Sequence, residues 1–268
     1  MNSFEPILGP LLGLVLVLLA AGLMFFFSLP QRTKSRRQQA ARSRTALRPI
    51  RAMQRLRRAI GLAVEDGSRL HVSIGEASIL SPTNASALVG LSTLERIGAL
   101  SSVSDRPPVA TSGDGSLAIL SQDTLRAAYR IANVPEQYDP AQARLAGPTP
   151  FSYIAGTLPV IYDERVSANI LVGNFGPEVA LLAEAADRED SFVLAGSDSV
   201  AAQAVLYGTA REPLIGEELF AVPAYLQAGP IYQAGLRAQD ILRWVVIAIL
   251  IVGAVLVFFN SWLGLGIL

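Results

Sequence analysis

The sequence predicts an α/β fold, an open and mostly parallel sheet with helices on both faces, flanked by one N-terminal and one C-terminal transmembrane helix. Three observations predict it. Two apolar stretches, Ile7 to Leu29 and Ile241 to Phe259, stand at opposite ends of the 268-residue chain. Between them short β-rich runs alternate with helical patterns. Several of those runs end in Gly followed by a small or acidic residue, as strands do where they turn tightly into helices.

Residues 1–30 are read as the first transmembrane helix. At ~1.5 Å per residue, about 20 apolar residues cross a ~30 Å hydrocarbon core, and the stretch from Ile7 to Leu29 carries no charge. A secretory signal peptide is the competing reading. It needs a basic n-region and a short apolar core before a small-residue cleavage site, and this chain shows neither. Gly9 and Gly13 have the spacing that lets membrane helices approach closely, although Pro10 lies between them.

Residues 31–64 form a basic juxtamembrane arm. Gln31 to Arg58 holds eleven of the 22 Lys and Arg residues and no acid. Since Lys and Arg stay on the cytoplasmic side, the N-terminus is expected outside and the arm inside. Arg32, Lys34, Arg36 and Arg37, next to the span, are the candidate contacts for anionic lipid headgroups. Further along, Ile50, Met53, Leu56, Ile60 and Val64 recur at helical spacing with arginines opposite. That stripe suits a helix lying in the membrane interface, and it equally suits the first helix of a folded domain, because periodicity does not say what the stripe faces.

Residues 65–228 are assigned to one cytoplasmic α/β domain. Glu65 to Asp240 sets 21 acidic side chains against 10 arginines, leaving this part at −11 while the arm supplies +11. So acidic a domain does not attract nucleic acid, whose affinity rests on phosphate neutralisation. Strands are expected at Leu70 to Ile74, Pro108 to Thr111, Phe151 to Thr157, Ala168 to Val172 and Ser191 to Ala195. Helices are expected over Ala85 to Leu100 with Thr83 or Asn84 as cap, and over Val179 to Arg188 with Pro177 as first residue. A further one begins at Ser197 or Asp198 and runs through Tyr207, and another covers Glu217 to Gln227 with Pro223 as a kink. Asp139 to Pro150, rich in Pro and Gly, reads as a loop.

Residues 229–268 are read as a long helix opened by Pro230 that continues into the second transmembrane helix, bracketed by Trp244 and Trp262. The C-terminus then returns outside. Neither span carries an acid, base or amide within the bilayer, so a proton or ion pathway has no residue to run on. The expected location is the cell (inner) membrane.

In open parallel sheets ligands sit beyond the carboxyl ends of the strands. That edge would gather Gly75, Glu76, Gly113, Asp114, Gly173, Asn174, Glu178, Ser197, Asp198, Glu217 and Glu218 as candidate ligand-binding residues. Each is also explained locally, since Gly permits tight turns and Asp, Ser or Glu caps a helix. The arrangement is Rossmann-like, and Gly113, Gly115 and Ala118 match the spacing of a dinucleotide fingerprint. Asp114 would stand beside the pyrophosphate, however, and the motif is not on the first strand. A Walker loop is excluded because the single lysine is Lys34, in the arm.

There is no Cys, hence no thiolate nucleophile, disulfide or zinc-thiolate site, and no domain lysine for a Schiff base. His71, the only histidine, alternates inside its strand and reads as a hydrogen-bonded strand residue more readily than as a base. The residues indicate no metal site and name no cofactor or catalytic group, although carboxylates at the strand ends could chelate Mg²⁺.

The segments LHVSIG at Leu70 to Gly75, TSGD at Thr111 to Asp114, VGNFGPE at Val172 to Glu178, IGEELFAVPAYL at Ile215 to Leu226 and AQDILR at Ala238 to Arg243 carry a resemblance. The chain resembles an uncharacterised family of bacterial two-span membrane proteins known as a domain of unknown function. The resemblance implies a prokaryotic integral membrane protein with a cytoplasmic module and lends no activity. Two functions are therefore expected: a non-enzymatic ligand-binding or scaffold component of a membrane assembly, as a homo-oligomer or with other subunits, or an enzyme. The enzyme would use a carboxylate-rich site, with or without Mg²⁺, on a phosphorylated or lipid-derived substrate.

Overall fold

In the computed structural model, which describes residues 5–28, 48–81, 84–102 and 104–263, the chain divides into two units. One comprises residues 47–228 and the other residues 1–46 with 229–268. Arg32, Lys34, Arg36 and Arg37 lie outside the described residues, as do Thr83 and the side chain of its alternative cap Asn84.

In the terminal unit, α1 (Glu5–Ser28) packs along α9 (Pro230–Leu263), which is one unbroken helix of 34 residues. Its segment Ile231–Val255 is, among the described residues, the helix long and apolar enough to cross a membrane; Gly13–Phe27 is a shorter apolar stretch of α1. A methyl group at Gly13 would meet nothing within 4 Å in this chain.

The other unit is built on six parallel strands: β1 (Arg69–Gly75), β2 (Val109–Ser112), β3 (Ala143–Leu145), β4 (Val166–Asn174), β5 (Phe192–Ser197) and β6 (Glu212–Leu214). Their spatial order is β3-β2-β1-β4-β5-β6. Helices cover both faces, which is why the strands read as near-continuous apolar runs. Along β4, Ala168, Ile170 and Val172 join one core with Met53, Leu56, Leu94 and Ile97. Leu171 joins the other core, with Tyr153, Leu182 and Leu206. The first core carries α2 (Arg51–Glu65), α3 (Asn84–Ser101), α4 (Gly115–Ile131) and α8 (Glu218–Tyr225). The second carries α5 (Pro150–Asp163), α6 (Val179–Arg188) and α7 (Val200–Thr209).

The two readings of the Ile50 to Val64 stripe are thereby separated. Met53, Leu56 and Ile60 are buried on the sheet at 2%, 0% and 4% exposure, so the stripe faces protein, and the arginines of α2, with Leu62, look outward. The interfacial orientation, with the stripe toward acyl chains, does not occur.

Several expected boundaries move. Phe151 to Thr157 is helix rather than strand. Pro150 opens α5, the Ser152 hydroxyl accepts the Thr149 N–H at 3.0 Å, and Tyr153, Ile154, Thr157, Val160 and Ile161 form its buried stripe. Asp139 to Pro150 is not simply a loop. It contains a helical turn at Pro140–Gln142 and the edge strand β3, which pairs Ala143 with Ala110. Pro177 lies ahead of α6, whose N-cap is Glu178, and α7 is capped at Ser199 rather than begun at Ser197 or Asp198. α8 ends at Tyr225, short of Gln227, which adopts φ 61°, and Pro223 is accommodated near its end.

Candidate functional site: the carboxyl edge of the sheet

In this strand order the direction of progression reverses between β1 and β4, and ligands of doubly wound sheets bind at such a switch point. The two strands approach so closely here that side chains do not fit. A Cβ on Gly173 would lie 1.7 Å from the Ile74 carbonyl oxygen, and one on Gly75, at φ +82°, would lie 2.1 Å from that of Asn174. The Glu76 N–H donates to the Asn174 carbonyl at 2.9 Å and the Gly113 N–H to that of Gly75 at 2.8 Å, sewing the ends of β1, β2 and β4 together.

Around this seam the polar groups are used by the protein itself. Asp198 accepts from the Asn174 side-chain amide at 2.6 Å and from the Ser86 hydroxyl at 2.7 Å. Glu178 accepts the Gly176 N–H at 2.9 Å. Ser197, fully buried, accepts from the Phe175 N–H at 3.0 Å and donates to the Phe175 carbonyl at 3.1 Å. Asp114 caps α4, accepting the N–H groups of Ser116 at 2.9 Å and Leu117 at 3.2 Å. The Ser116 hydroxyl, opposed by desolvation and helped by those two amides, holds the Asp114 carboxyl below its ordinary pKa. Burial, and then the charge of Glu178, push Glu76 the other way.

The predicted residues thus divide. Gly75, Glu76, Gly113, Gly173, Asn174, Glu178, Ser197 and Asp198 come together at the β1/β4 seam, and Asp114 adjoins it just past the end of β2. Glu217 and Glu218 do not; they follow β6, two strands from β4, or about 10 Å at ordinary strand spacing. Ser86 and Gln203 escape sequence reasoning. Gln203 donates to the Ser197 carbonyl at 2.9 Å and accepts from Gly216 at 3.0 Å, and no motif marks either residue.

This pattern decides what the edge can hold. A pyrophosphate needs free backbone N–H groups at a glycine turn and helix N-terminus. Here the amides of Gly176, Ser116 and Leu117 are already taken by Glu178 and Asp114, and the amide of Glu76 by a carbonyl. The surrounding carboxylates would repel phosphate as well. Among the described residues, no three His, Asp or Glu side chains converge as a metal ion would require.

Beneath the seam on the α5 side runs a buried polar chain whose direction is fixed at one end. Ser191 donates to the Ala186 carbonyl, so it accepts from the Asn169 amide N–H at 2.8 Å. The Asn169 oxygen must then accept from His71 Nδ1–H at 2.8 Å, which leaves His71 Nε2 to accept from the Thr111 hydroxyl at 2.9 Å. Burial lowers the His71 pKa to about 4. The ring is neutral and fully buried, and the Thr111 hydroxyl that donates to it is buried as well, so the pair is closed to a substrate and its role is structural. Tyr153 closes the chain near the seam: its hydroxyl pairs with Ser73 at 2.5 Å and accepts the Gly75 N–H at 3.3 Å.

Fold and edge together define a doubly wound α/β module with a self-capped carboxyl edge, in a chain that also carries an apolar helix of membrane-crossing length. The chain belongs to the family described as Domain of unknown function (DUF6754), which it matches over residues 13–266. No curated protein and no solved structure matches it.

Proposed function

We propose that the protein is a two-span component of the cell (inner) membrane with both termini outside. Its cytoplasmic α/β unit serves as a non-enzymatic ligand-binding or scaffold part of a membrane assembly. The self-capped carboxyl edge carries this reading: the amides that a nucleotide-binding sheet of this order offers to phosphate are spent on Asp114 and Glu178. A small ligand at this edge would be rich in hydrogen-bond donors or cationic. Support for anchoring comes from α9, where Val246, Ile249, Leu250, Ile251, Val252 and Phe258 are each more than 40% exposed. Large apolar side chains in such number suit lipid rather than water.

The test is native mass spectrometry of the protein in lipid nanodiscs, joined to thermal shifts with a panel of nucleotides and dinucleotides. The reading expects more than one copy, or a co-purified partner or ligand, and no nucleotide-induced shift. A monodisperse, empty monomer would contradict the assembly reading, and a saturable dinucleotide shift would contradict the reading of the edge.

One observation favours the enzymatic alternative. Burial, and then the charge of Glu178, raise the Glu76 pKa, and a carboxyl raised beside a second carboxyl is an arrangement that acid–base pairs use. For that reading, Mg²⁺ or a phosphorylated substrate must stabilise the protein, and Glu76→Gln must abolish the effect without lowering the melting point.

A further inference from the structure

We propose that the outer face of α2 docks the α/β unit onto an anionic bilayer, its apolar stripe against protein and its arginine ridge against lipid headgroups. This inference rests on the membrane anchoring proposed above.

Three observations lead to it. First, α2 is amphipathic with an uncommon outer face: Ala52, Met53, Leu56, Ile60 and Ala63 are buried, while Arg51, Gln54, Arg55, Arg57 and Arg58 are exposed. From Arg48 to Val64 there are five arginines and no acid, whereas Glu65 to Asp240 sets 21 acids against 10 arginines. The ridge is therefore a concentrated positive surface on an otherwise negative body.

Second, the unit's internal contacts neutralise little of it. Arg55 pairs with Glu212 and Arg57 donates to the Tyr225 carbonyl, but Arg51 and Arg58 make no ion pair among the described residues.

Third, both chain connections leave the unit at this helix. The arm joins α2 through Arg48 and Pro49, and the Tyr225 hydroxyl donates to the Arg48 carbonyl. Arg96 holds the next carbonyl, that of Leu226, at 2.9 Å. The five steps from Tyr225 to Pro230 span at most about 18 Å, and the helical residues from Pro230 to Ile241 add about 16 Å. A bilayer entered through this second connection is thus kept within reach of the ridge, at high effective concentration. Anionic headgroups are the counter-charge found at that surface.

The chain has no Cys, so Gln54→Cys places a single fluorophore on the ridge and Ala155→Cys places one on exposed α5 as a control. The full chain is reconstituted into nanodiscs of phosphatidylcholine alone or with phosphatidylglycerol, each containing a headgroup-attached quencher. The proposal expects strong quenching at position 54 in the anionic discs, weak quenching in neutral ones, relief by salt, and none at position 155. Arg51→Gln with Arg58→Gln should lower the docked-to-undocked ratio by about fivefold per charge removed. Equal quenching in both lipids, or none at position 54 in anionic discs, overturns the docking. A probe at position 54 that is shielded but unquenched also overturns it and names a second copy of the chain as occupant. Elution of the chain without lipid overturns the anchoring instead, a readout separate from quenching.

Discussion

Gly173 has no room for a methyl group. With the Ile74 carbonyl oxygen 1.7 Å from the position of its Cβ, Gly173→Ala must push β1 and β4 apart at the seam. A loss on the order of 3 kcal/mol is expected in denaturant melts. Gly115, the second glycine of the apparent fingerprint, has nothing within 4 Å of its Cβ position. Gly115→Ala should therefore stay within about 0.5 kcal/mol of the parent. Equal effects at the two sites would contradict the account of the edge. His71 supplies a pH signature. Its folded-state pKa of about 4 lies below the ordinary 6.5, so the unfolded chain binds the proton first as pH falls. Its contribution is complete above pH 6.5 and is lost progressively toward pH 4. The total is about 3 kcal/mol at 1.36 kcal/mol per unit. His71→Gln should flatten the stability profile in that window, and an unchanged slope would show that the ring titrates freely.

At the scale of elements, Glu164 ties the end of α5 to two strands. It binds Arg69 at the start of β1 and Arg144 on β3. Burial raises its pKa, but Arg144 and then Arg69 outweigh that and hold it low. Glu164→Gln leaves both guanidinium groups without a counter-charge. Because Arg144 is 40% exposed, the expected cost is only about 1–2 kcal/mol, measured by thermal melts against Glu184→Gln, whose loss should be near zero. Four of the six strands and most helices were legible because both faces of the sheet are buried and Gly ends each run. α5 was not: Phe151 to Thr157 is too short a window to separate period 2 from 3.6, and its aromatic and β-branched residues suggest strand. The stripe emerges only when Val160 and Ile161 are included. β3 was missed because it is three residues long and is defined by its pairing with β2, which no local pattern reports. At the site, the glycine turns were readable, whereas the partnership of Asp198 with Ser86, 112 residues away, exists only in the fold.

For the whole molecule, a net charge of zero conceals a division of labour. The acidic body folds as a doubly wound sheet, and the arginines that balance it are concentrated between the first apolar stretch and β1. α2 belongs to both: its apolar side completes one core of the sheet while its basic side remains outward. Chain order then makes orientation the central question, since every functional expectation assumes that the body lies on the arginine-bearing side of a bilayer. The direct measurement uses the natural absence of Cys. Single cysteines at Ala155 on α5 and at Asn2 near the N-terminus are probed in intact cells with a membrane-impermeant thiol reagent. Labelling is expected at position 2 at once and at position 155 only after the membrane is permeabilised. Labelling of position 155 in intact cells would contradict that orientation.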